Sequence, residues 1–504
     1  MKVYLAGFNV DTAVLKELEQ TAGKREDLTP EVLSAAYARI SRDPRPINEI
    51  RNEAKKEVER SRKSNETIIF KMGHHSVAEH AVFNFDILGV SRFAMEEAEK
   101  FRLCSYTEKS QRYITLDKDF VIPQEIKGTP LEGRFVKMVQ LQNEAYFKLF
   151  EKLKDYVFKK HEKLAADPKK HNLLEGFAKE DARYITSLAT ESQVGVTVNA
   201  RILELMLRRF ASHPLAEVKK LGKSIYEQVN PIAPSIVIFR EANDRDLKTY
   251  PELKETLKEF IKKTKKPASK KGIKEVELVE FPKEGDKLIL AALLHTFDNL
   301  SYEQCKSIAA RLNKEQSKKI FKTSWQNMQF YDSMLREFEY VNLTFNIILS
   351  AACFGQLKRH RMSTITTQAY DPNLGITIPE SIKETGMEKY FKEIVDKTNE
   401  VYAAINKETP LAAPYILTNA HRRRVLMRLN LRELYHISRL REDAHAQWDI
   451  QNISHLMSKE VKRIMPLASS LLCGKDKYNE TYQNIFGHLP KVVQASLPGA
   501  RRIK

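Results

Sequence analysis

The stretch QLKRHRMSTITTQAYDP, residues 356–372, places three cationic or titratable side chains next to one another, directly after the apolar run NIILSAACFG. These side chains belong to Arg359, His360 and Arg361. Because three adjacent residues cannot share one face of a helix or strand, they indicate an anion that is contacted from more than one side. The first acidic residue after them is Asp371, beyond a Thr-rich segment. The stretch predicts part of an anion site whose other residues lie elsewhere in the chain.

A second polar segment, SYTEKSQRY at residues 105–113, has the chemistry of a phosphate cradle. A turn that presents backbone N–H groups, the hydroxyl of Ser110 and the guanidinium of Arg112 would bind phosphate oxygens. Ser105 and Glu108 also have the spacing of a helix capping box. The two interpretations are compatible, and both stay open at this point.

The composition narrows the class of protein. The chain has 504 residues, of which 42% are hydrophobic and 30% charged, as in a soluble globular protein of two or three domains. It contains no apolar run of about 18 residues and its first residues are charged, so we expect a cytoplasmic protein without a membrane partner. The net charge of +18 suits ligands with several phosphates or carboxylates, or nucleic acid. The four scattered cysteines form no CxxC pair and predict neither disulfides nor a metal site.

A lysine-rich segment divides the chain into two related halves. Eight lysines lie between Lys258 and Lys274, and the polar composition predicts a solvated linker at 241–274. On either side, AEHAVFNFDILGVSRFAMEEAEKFRLCSYTEKSQRY and FEYVNLTFNIILSAACFGQLKRHRMSTITTQAYDP each run from an alternating strand through a helix into a polar loop. Two later segments, VNARILELMLRRFASHPLAEV and LNLRELYHISRLREDAHAQWDI, also correspond and have helical periodicity. We predict a tandem duplication with repeats at 1–240 and 275–504.

The segments GHHSVAEHAVFNF, SYTEKSQRY and NLRELYHISRLREDAHAQW together resemble the flavin-dependent thymidylate synthases. The signature of that family is RHRxxSxNExSxRY, followed by an NxRxLxHxxxxR helix that ends in AQW. The resemblance implies an α+β fold of two tandem domains of this family, each a helix-rich unit around a mixed or antiparallel sheet. It also implies FAD as cofactor, dUMP and folate as ligands, methylenetetrahydrofolate as carbon donor, NADPH as reductant and dTMP as product.

The resemblance also implies roles for residues of both repeats. Arg441 would be catalytic, because a fixed guanidinium at the uracil edge favours ionisation at N3. The dUMP phosphate and sugar would be bound by Glu108, Ser110, Gln111, Arg112 and Arg183 of the first repeat and by Gln356 and Arg359 of the second. FAD would be contacted by His74, Ser76 and Glu108 of the first repeat and by Arg359, His360, Arg361, Asn430, Arg432 and His436 of the second.

The two repeats depart from the family pattern in complementary places. The first repeat has Lys100 and Phe101 where the signature has the first Arg and the His of RHR. The second repeat has Thr367, Ala369 and Asp371 where the signature has the Glu, Ser and Arg that hold dUMP. An aspartate facing a phosphate would repel it. We therefore predict composite sites built from both repeats, in a homodimer that mimics the tetramer of the family.

Two alternatives remain open. The chain could be a flavoprotein that acts on another pyrimidine nucleotide, or a catalytically inactive FAD- or nucleotide-binding regulatory protein. The departures at Phe101, Thr107, Leu205 and Thr367 keep these alternatives open, whereas the retained Glu108, Arg112 and Arg441 favour an enzyme. Arginine-rich stretches such as HRRRVLMR could bind nucleic acid, but arginines on the outer face of amphipathic helices are the favoured interpretation, so we expect no nucleic-acid partner.

Overall fold

The computed structural model describes residues 1–11, 14, 28–39, 43–71, 74–112, 119–264 and 274–491. Its contacts divide the chain into two compact units. The first unit consists of Met1–Ser269 and Ile378–Ala420, and the second consists of Lys270–Thr377 and His421–Lys504. The segment Ile378–Ala420 belongs to the second repeat in sequence, but its contacts place it in the first unit.

The described strands are separated along the chain by one or more helices. The strands are β1 (Lys2–Phe8), β2 (Val82–Ser91), β3 (Cys104–Glu108), β4 (Glu191–Asn199), β5 (Val276–Glu280), β6 (Asn342–Ser350), β7 (Thr364–Thr367) and β8 (Arg422–Asn430). The helices are α1 (Glu31–Arg39), α2 (Ile47–Lys56), α3 (Val58–Asn65), α4 (Arg92–Ala98), α5 (Pro130–Lys160), α6 (Glu162–Ala165), α7 (His171–Ala182), α8 (Ala200–Ala211), α9 (Ala216–Val229), α10 (Asp244–Lys263), α11 (Gly285–Phe297), α12 (Tyr302–Arg311), α13 (Lys314–Trp325), α14 (Ala351–Leu357), α15 (Glu380–Glu384), α16 (Glu388–Glu408), α17 (Leu431–Arg441), α18 (Trp448–Ile464) and α19 (Tyr478–Phe486).

An antiparallel sheet with the strand order β1-β2-β4-β3 organises the first unit. The alternating apolar residues of β2 explain its placement, since Phe83, Phe85 and Ile87 are buried while the residues between them are more exposed. The chain leaves β2 through the N-cap of α4, where the hydroxyl of Ser91 accepts a hydrogen bond from the Ala94 N–H. β2, α4 and β3 therefore follow the order that the sequence pattern predicts.

The long helix α5 ties the segment Ile378–Ala420 into the first unit. Thr129 caps its N-terminus, and the next residue is Pro130 at the first helical position. Its fully buried Gln142 donates hydrogen bonds to Thr398 Oγ1 on α16 and to the Ile416 carbonyl, both at 2.9 Å. Because a buried amide must be hydrogen-bonded, this pair of contacts fixes how α16 lies against α5.

The second unit repeats the architecture of the sheet, with the order β5-β6-β8-β7 and antiparallel pairing. A buried serine–carboxylate contact occurs at the end of β2 and again at the end of β6. Ser91 Oγ donates to Glu217 Oε2 at 2.7 Å, and Ser350 Oγ donates to Asp449 Oδ2 at 2.6 Å. The α+β fold with two antiparallel sheets confirms the predicted fold class, and the repeated strand order agrees with a tandem duplication.

Part of the predicted linker is a helix. α10 occupies Asp244–Lys263 within the lysine-rich segment, and residues 265–273 lie outside the described part of the chain. Asn243 caps the helix, and oppositely charged pairs such as Asp244–Lys248 at 2.9 Å support it along its length. A solvated and charged composition is therefore compatible with a helix here. Among the described helices, none is both long and apolar enough to cross a bilayer.

Candidate functional site

The strand–helix–strand unit of the first repeat buries Glu108 beside Arg92. Arg92 is the first residue of α4 and is 5% exposed, and its Nη1 lies 3.4 Å from Glu108 Oε1 at the end of β3. Ser192 on the neighbouring strand β4 donates a hydrogen bond to the same carboxylate oxygen at 3.1 Å. A guanidinium and a hydroxyl thus hold the Glu108 carboxylate in one orientation.

Two further arginines lie close to Arg92. Arg112 follows β3 and pairs through its Nε with the carboxylate of Glu180 on α7. Arg183, directly after α7, is 7% exposed, and its Nε donates to the Glu180 carbonyl at 3.2 Å. Burial lowers the pKa of Arg183, and the positive charges of Arg92 and Arg112 act in the same direction. Arg112 and Arg183 both contact Glu180, and Arg92 and Arg183 both contact Asn419, so the three arginines lie in one neighbourhood.

The same neighbourhood contains two buried donors without a hydrogen-bond partner among the described residues. They are Gln111 Nε2 and Arg183 Nη2. Both residues contact the fully buried Asn419, whose Nδ2 donates to Gln111 Oε1 at 3.2 Å and to the Arg183 carbonyl at 3.1 Å. A buried donor without an acceptor destabilises the fold by about 1–3 kcal/mol, and an anionic oxygen would remove that cost. The donor set fits a phosphate.

The structure brings together most of the nucleotide residues predicted for the first repeat. We define the cradle as Arg92, Glu108, Gln111, Arg112, Arg183, Ser192 and Asn419. Ser110 lies in the same turn, where its hydroxyl accepts from the Arg112 N–H at 3.3 Å. His74 and Ser76 are exposed, at the start of a short 3-10 helix, His75–His80. Among the described residues, neither of these side chains is hydrogen-bonded to a residue of the cradle.

In the second unit, Arg441 is held by His360. Arg441 is the last residue of α17, and its Nε donates to His360 Nε2 at 2.9 Å, while its Nη2 lies 3.5 Å from the Gln356 carbonyl oxygen. His360 is 3% exposed, and burial, with Arg441 and His436 nearby, lowers its pKa well below 6.5. The imidazole is therefore neutral and accepts at Nε2, so its proton is on Nδ1.

The Nδ1 side of His360 faces Glu433. The distance from Nδ1 to Glu433 Oε1 is 3.5 Å, and burial raises the pKa of this glutamate. Nδ1 has no hydrogen-bond partner among the described residues, so Glu433 lies beside the ring without bonding to it, and the bond from Arg441 to Nε2 is the contact that holds the guanidinium. The sequence predicts His360 as a flavin contact; in the structure its buried ring accepts from Arg441, and the flavin contact stays a prediction. Gln356 is also buried, with Nε2 3.5 Å from Gln447 Oε1.

The remaining predicted flavin residues of the second repeat differ in their surroundings. Asn430 caps α17 by accepting from the Glu433 N–H at 2.8 Å. Arg432 donates to the Met334 carbonyl at 2.7 Å and pairs with Glu339 at 2.9 Å. His436 is exposed and meets the ring of His360 edge-on, with centroids 5.8 Å apart. Asn430 and Arg432 therefore have structural partners within the unit.

The two outer members of the RHR motif are the accessible ones. Arg359 is exposed and Arg361 is partly exposed, in contrast to the buried His360 between them. The backbone turn after α14 produces this alternation, because the His360 N–H bonds to the Leu357 carbonyl and the Ser363 N–H bonds to the His360 carbonyl. The two guanidinium groups can reach a ligand, which agrees with their predicted contact with phosphates.

An arginine occupies the position in the second repeat that corresponds to the hydroxyl of Ser192. Strand register identifies the pair, since Ser192 lies opposite Val90 and Arg423 lies opposite Leu349, one residue before the helix cap in each case. The guanidinium carbon of Arg423 lies 4.2 Å from the ring centroid of Tyr370 and 4.8 Å from that of Phe354.

In the second repeat, Arg423 and the side chains around it occupy the positions that correspond to the cradle. Arg423 Nη2 donates to Thr367 Oγ1, the counterpart of the Glu108 carboxylate, at 3.2 Å. Asp371, the counterpart of Arg112, accepts hydrogen bonds from Asn373 at 2.8 and 2.9 Å. This arrangement lacks the carboxylate–arginine pairs of the first repeat, and a stacked arginine stabilises the unit instead.

The sequence analysis missed Arg92, Ser192 and Asn419. A comparison of the two repeats could have found Arg92 and Ser192, because the second repeat has different residues, Ala351 and Arg423, at the corresponding positions. Within the family motif, the same replacement is visible at Glu108, Ser110 and Arg112. Asn419 is separated from Gln111 by 308 positions, so no local spacing could connect them.

Comparisons with known proteins agree with the duplicated architecture. The family model Thy1, described as thymidylate synthase complementing protein, matches residues 25–235 and again residues 277–467. The chain belongs to this family. Because the family model matches once in each half, the predicted tandem duplication and the predicted family are confirmed.

Individual relatives fall into two groups. The chain is 26% identical over 442 residues to a UPF0159 protein of Chlamydia muridarum, a match that covers 82% of this chain and 81% of that protein. It is 29% identical over 212 residues to the flavin-dependent thymidylate synthase of Clostridium tetani, covering 41% of this chain and 80% of that enzyme. The corresponding enzyme of Pyrococcus furiosus is 30% identical over 212 residues, covering 38% of this chain and 78% of the enzyme. One such enzyme therefore corresponds to one repeat of this chain.

Proposed function

We propose that this chain catalyses the FAD-dependent methylation of dUMP to dTMP, with methylenetetrahydrofolate as carbon donor and NADPH as reductant. The cradle is the observation that carries the proposal. It combines three neighbouring guanidinium groups with two buried donors, Gln111 Nε2 and Arg183 Nη2, that have no hydrogen-bond partner in the described part of the chain. The phosphate of a nucleotide monophosphate would satisfy these donors, and the chain is similar over part of its length to proteins named flavin-dependent thymidylate synthase.

The positive charge of the cradle exceeds its negative charge. Among the ion pairs of the described residues, Arg92 pairs with Glu108 and Arg112 pairs with Glu180, which sets two carboxylates against three guanidinium groups. A phosphate monoester carries between one and two negative charges near pH 7, so its binding would complete the balance. The charges therefore favour a phosphorylated nucleotide over the corresponding nucleoside.

Arg441 supports the second half of the proposal. Its guanidinium is fixed from behind by the neutral ring of His360, and its position at the end of α17 leaves it partly exposed. A fixed cation beside the uracil ring would stabilise the negative charge that develops at N3 during attack by the pyrimidine. Bound FAD would supply the redox and carbon-transfer chemistry. Arg359 and Arg361 are the accessible cations that we propose for its phosphates.

We also propose that the sets retained in the two repeats serve the same reaction. This proposal rests on the complementary losses, with the cradle kept in the repeat at 1–240 and the RHR motif kept in the repeat at 275–504. Arg423 stacked on Tyr370 supports it, because the second repeat then has no cradle of its own. We expect one dUMP to bind per chain, in a homodimer.

The test begins with the purified chain. We expect a yellow protein whose flavin absorbance changes on addition of dUMP, and dTMP formation when methylenetetrahydrofolate and NADPH are supplied. Arg112→Ala and Arg441→Ala should each abolish turnover, whereas the matched change Arg463→Ala, at an exposed arginine on α18, should not. Calorimetry should give one dUMP site per chain. A colourless protein that does not take up FAD, or a flavoprotein indifferent to dUMP, would contradict the proposal.

Mixed dimers would show how the two sets combine. Arg112→Ala and Arg441→Ala chains, each inactive alone, should regain activity when mixed if residues of two chains serve one reaction. Unchanged inactivity in a mixture that forms heterodimers would mean that both sets act within one chain. Both results are consistent with the proposal that the two repeats serve one reaction. Full activity of either single variant would contradict it.

A further inference from the structure

We propose that Asn419, which the second repeat contributes, positions the anion-binding groups of the cradle in the first repeat. The proposal rests on the proposed function, in which the cradle binds the phosphate of a nucleotide. Asn419 is 0% exposed and lies in the segment Ile378–Ala420 that belongs by its contacts to the first unit. It has no contact with solvent, so its effect on a ligand would pass through the residues that it touches.

The hydrogen bonds of Asn419 fix both ends of its amide. Its Nδ2 lies 3.0 Å from Thr186 Oγ1, 3.1 Å from the Arg183 carbonyl and 3.2 Å from Gln111 Oε1. Its Oδ1 accepts from Arg92 Nε at 3.4 Å. A flipped amide would direct an NH₂ group at a guanidinium and an oxygen at three acceptors, so the surroundings allow a single orientation.

This orientation determines the orientation of Gln111. Because Asn419 donates to the oxygen of the Gln111 amide, that oxygen is turned toward Asn419 and the Nε2 group is turned away from it. Gln111 Nε2 is one of the two buried donors without a partner in the described part of the chain. Asn419 thereby presents an N–H group, and not a carbonyl oxygen, to the anion.

Backbone pairing holds Asn419 at this place. The segment around it pairs antiparallel with the segment around Ser187, which lies opposite Thr418. The Asn419 N–H bonds to the Thr186 carbonyl at 2.9 Å, and the Leu188 N–H bonds to the Leu417 carbonyl at 2.8 Å. Since the backbone supplies the pairing, the asparagine side chain is not needed for it.

The residue that corresponds to Asn419 in the first repeat is a leucine. Ser187 and Thr418 occupy equivalent positions in YITSLAT and YILTNAH, so Leu188 is the counterpart of Asn419. A leucine can neither donate nor accept a hydrogen bond. In the second repeat the counterparts of Gln111 and Arg183 are Tyr370 and Pro414, which offer no anion donors to orient. An asparagine at 419 therefore accompanies the cradle that retains its anion donors.

Two substitutions of similar size separate the roles of this side chain. Asn419→Leu introduces the residue of the first repeat and removes every side-chain hydrogen bond. Asn419→Asp keeps the shape and the contact with Arg92, but it cannot donate to Gln111 and it adds a negative charge. We expect a loss of about tenfold in affinity for dUMP with leucine, corresponding to about 1.4 kcal/mol, and a larger loss with aspartate.

The experiment uses full-length FAD-loaded protein and three probes, dUMP, inorganic phosphate and deoxyuridine, followed by calorimetry. We expect dUMP and phosphate to bind more weakly to both variants and deoxyuridine to bind as it does to the unchanged protein. Asn65→Leu is the matched control, because Asn65 is also 0% exposed and bonds a backbone carbonyl, that of Glu31, away from the cradle. If the leucine variant does not fold, Asn419→Ala decides, because it removes the same side-chain hydrogen bonds and adds neither bulk nor charge.

The outcomes separate this inference from the proposed function. Unchanged dUMP affinity in folded Asn419 variants would overturn the inference and leave the function standing, and so would an equal loss for deoxyuridine. Phosphate binding that depends on Asn419, in a protein that does not bind dUMP, would support the inference and overturn dUMP as substrate. A protein that binds neither dUMP nor phosphate would overturn both.

Discussion

Arg441 Nε donates a hydrogen bond of 2.9 Å to Nε2 of His360. This bond requires a neutral imidazole, and burial provides one by lowering the pKa of His360 well below 6.5. The central residue of the RHR motif thus acts on another protein side chain, whereas its neighbours Arg359 and Arg361 point to accessible space. The buried ring of His360 therefore contributes to the orientation of Arg441.

Replacing His360 by phenylalanine, the residue at the corresponding position 101, should lower kcat while leaving FAD content unchanged. The ring would stay buried, but Arg441 would lose its acceptor, and small misplacements of a catalytic group cost up to about 10²-fold in rate. Steady-state kinetics of the reconstituted enzyme measure this effect. His295→Phe, at an exposed histidine of α11, is the control. An unchanged kcat in the FAD-loaded variant would refute the positioning role.

Acidification should destabilise the unchanged protein more than the His360→Phe variant. The folded pKa of His360 lies below the ordinary value of 6.5, so the unfolded chain binds the proton first as the pH falls. Above about pH 6.5 the ring is neutral in both the folded and the unfolded chain, so stability is unaffected. At lower pH the free energy of unfolding falls by up to about 1.4 kcal/mol per pH unit. Thermal midpoints at about pH 7 and about pH 5 give the comparison.

The other groups that face His360 define the control for this measurement. Arg441 and His436 lower its pKa, and Glu433 lies on its Nδ1 side. Burial raises the pKa of Glu433. Its effect on stability is therefore opposite to that of His360: it stabilises the fold at low pH, and this stabilisation is lost as the pH rises above the ordinary value of 4.5. Repeating the comparison in Glu433→Gln removes that contribution. Equal midpoint shifts with and without His360 in this background would disprove the assignment.

Glu180→Gln should tighten the binding of dUMP and of inorganic phosphate. Arg112 is paired with Glu180, and the same carboxylate is one of two that offset the charge of three arginines. Removing this carboxylate takes one partner from Arg112 and raises the net positive charge of the cradle, so we expect a gain in affinity of about threefold to tenfold that shrinks with added salt. Calorimetry at low and high ionic strength tests this.

Glu175→Gln is the matched control for that prediction. Glu175 lies on the same helix, α7, but pairs with Lys154 and Lys179 away from the cradle. Its removal should leave anion affinity unchanged. Weaker binding in Glu180→Gln would mean that the carboxylate orients Arg112 for the ligand and does not compete with it.

Arg423→Ala should destabilise the protein without changing dUMP affinity. The guanidinium stacks between Tyr370 and Phe354 and donates to Thr367 and to the Gln368 carbonyl, so its removal should lower the free energy of unfolding by about 2–3 kcal/mol. Denaturant unfolding measures the loss, and Arg428→Ala, exposed on the same strand, should change stability by less than about 0.5 kcal/mol. A parallel loss of dUMP affinity would indicate that the second repeat still binds nucleotide.

The parts of the fold that local patterns determine were predictable from the sequence. Alternation in VFNFDILGV and LTFNIILS predicts β2 and β6, and the serines that follow them cap the next helices. The lysine-rich segment shows the limit of composition, because α10 forms there from a cap and from i,i+4 charge pairs that a count of lysines does not reveal.

The site residues that lie within one motif could be predicted from the sequence. Their hydrogen-bond partners could not, because those partners are far away along the chain. The motif supplies Gln111, Arg112 and Arg441, but their supports are Asn419, Glu180 and His360, at separations of 308, 68 and 81 positions. Such pairs depend on how elements pack, and spacing along the chain carries no information about them. The motif also gives no indication that the ring of His360 is buried between two accessible arginines.

The pairing of Ser187 with Thr418 has an evolutionary consequence. Two copies of one gene product that met at this position would have had identical residues on both sides, so any substitution would have changed both sites at once. Fusion of the copies ended that constraint. Leucine at 188 and asparagine at 419 could then be selected separately, and one half could specialise in holding the anion while the other exchanged that capacity for a stacked arginine.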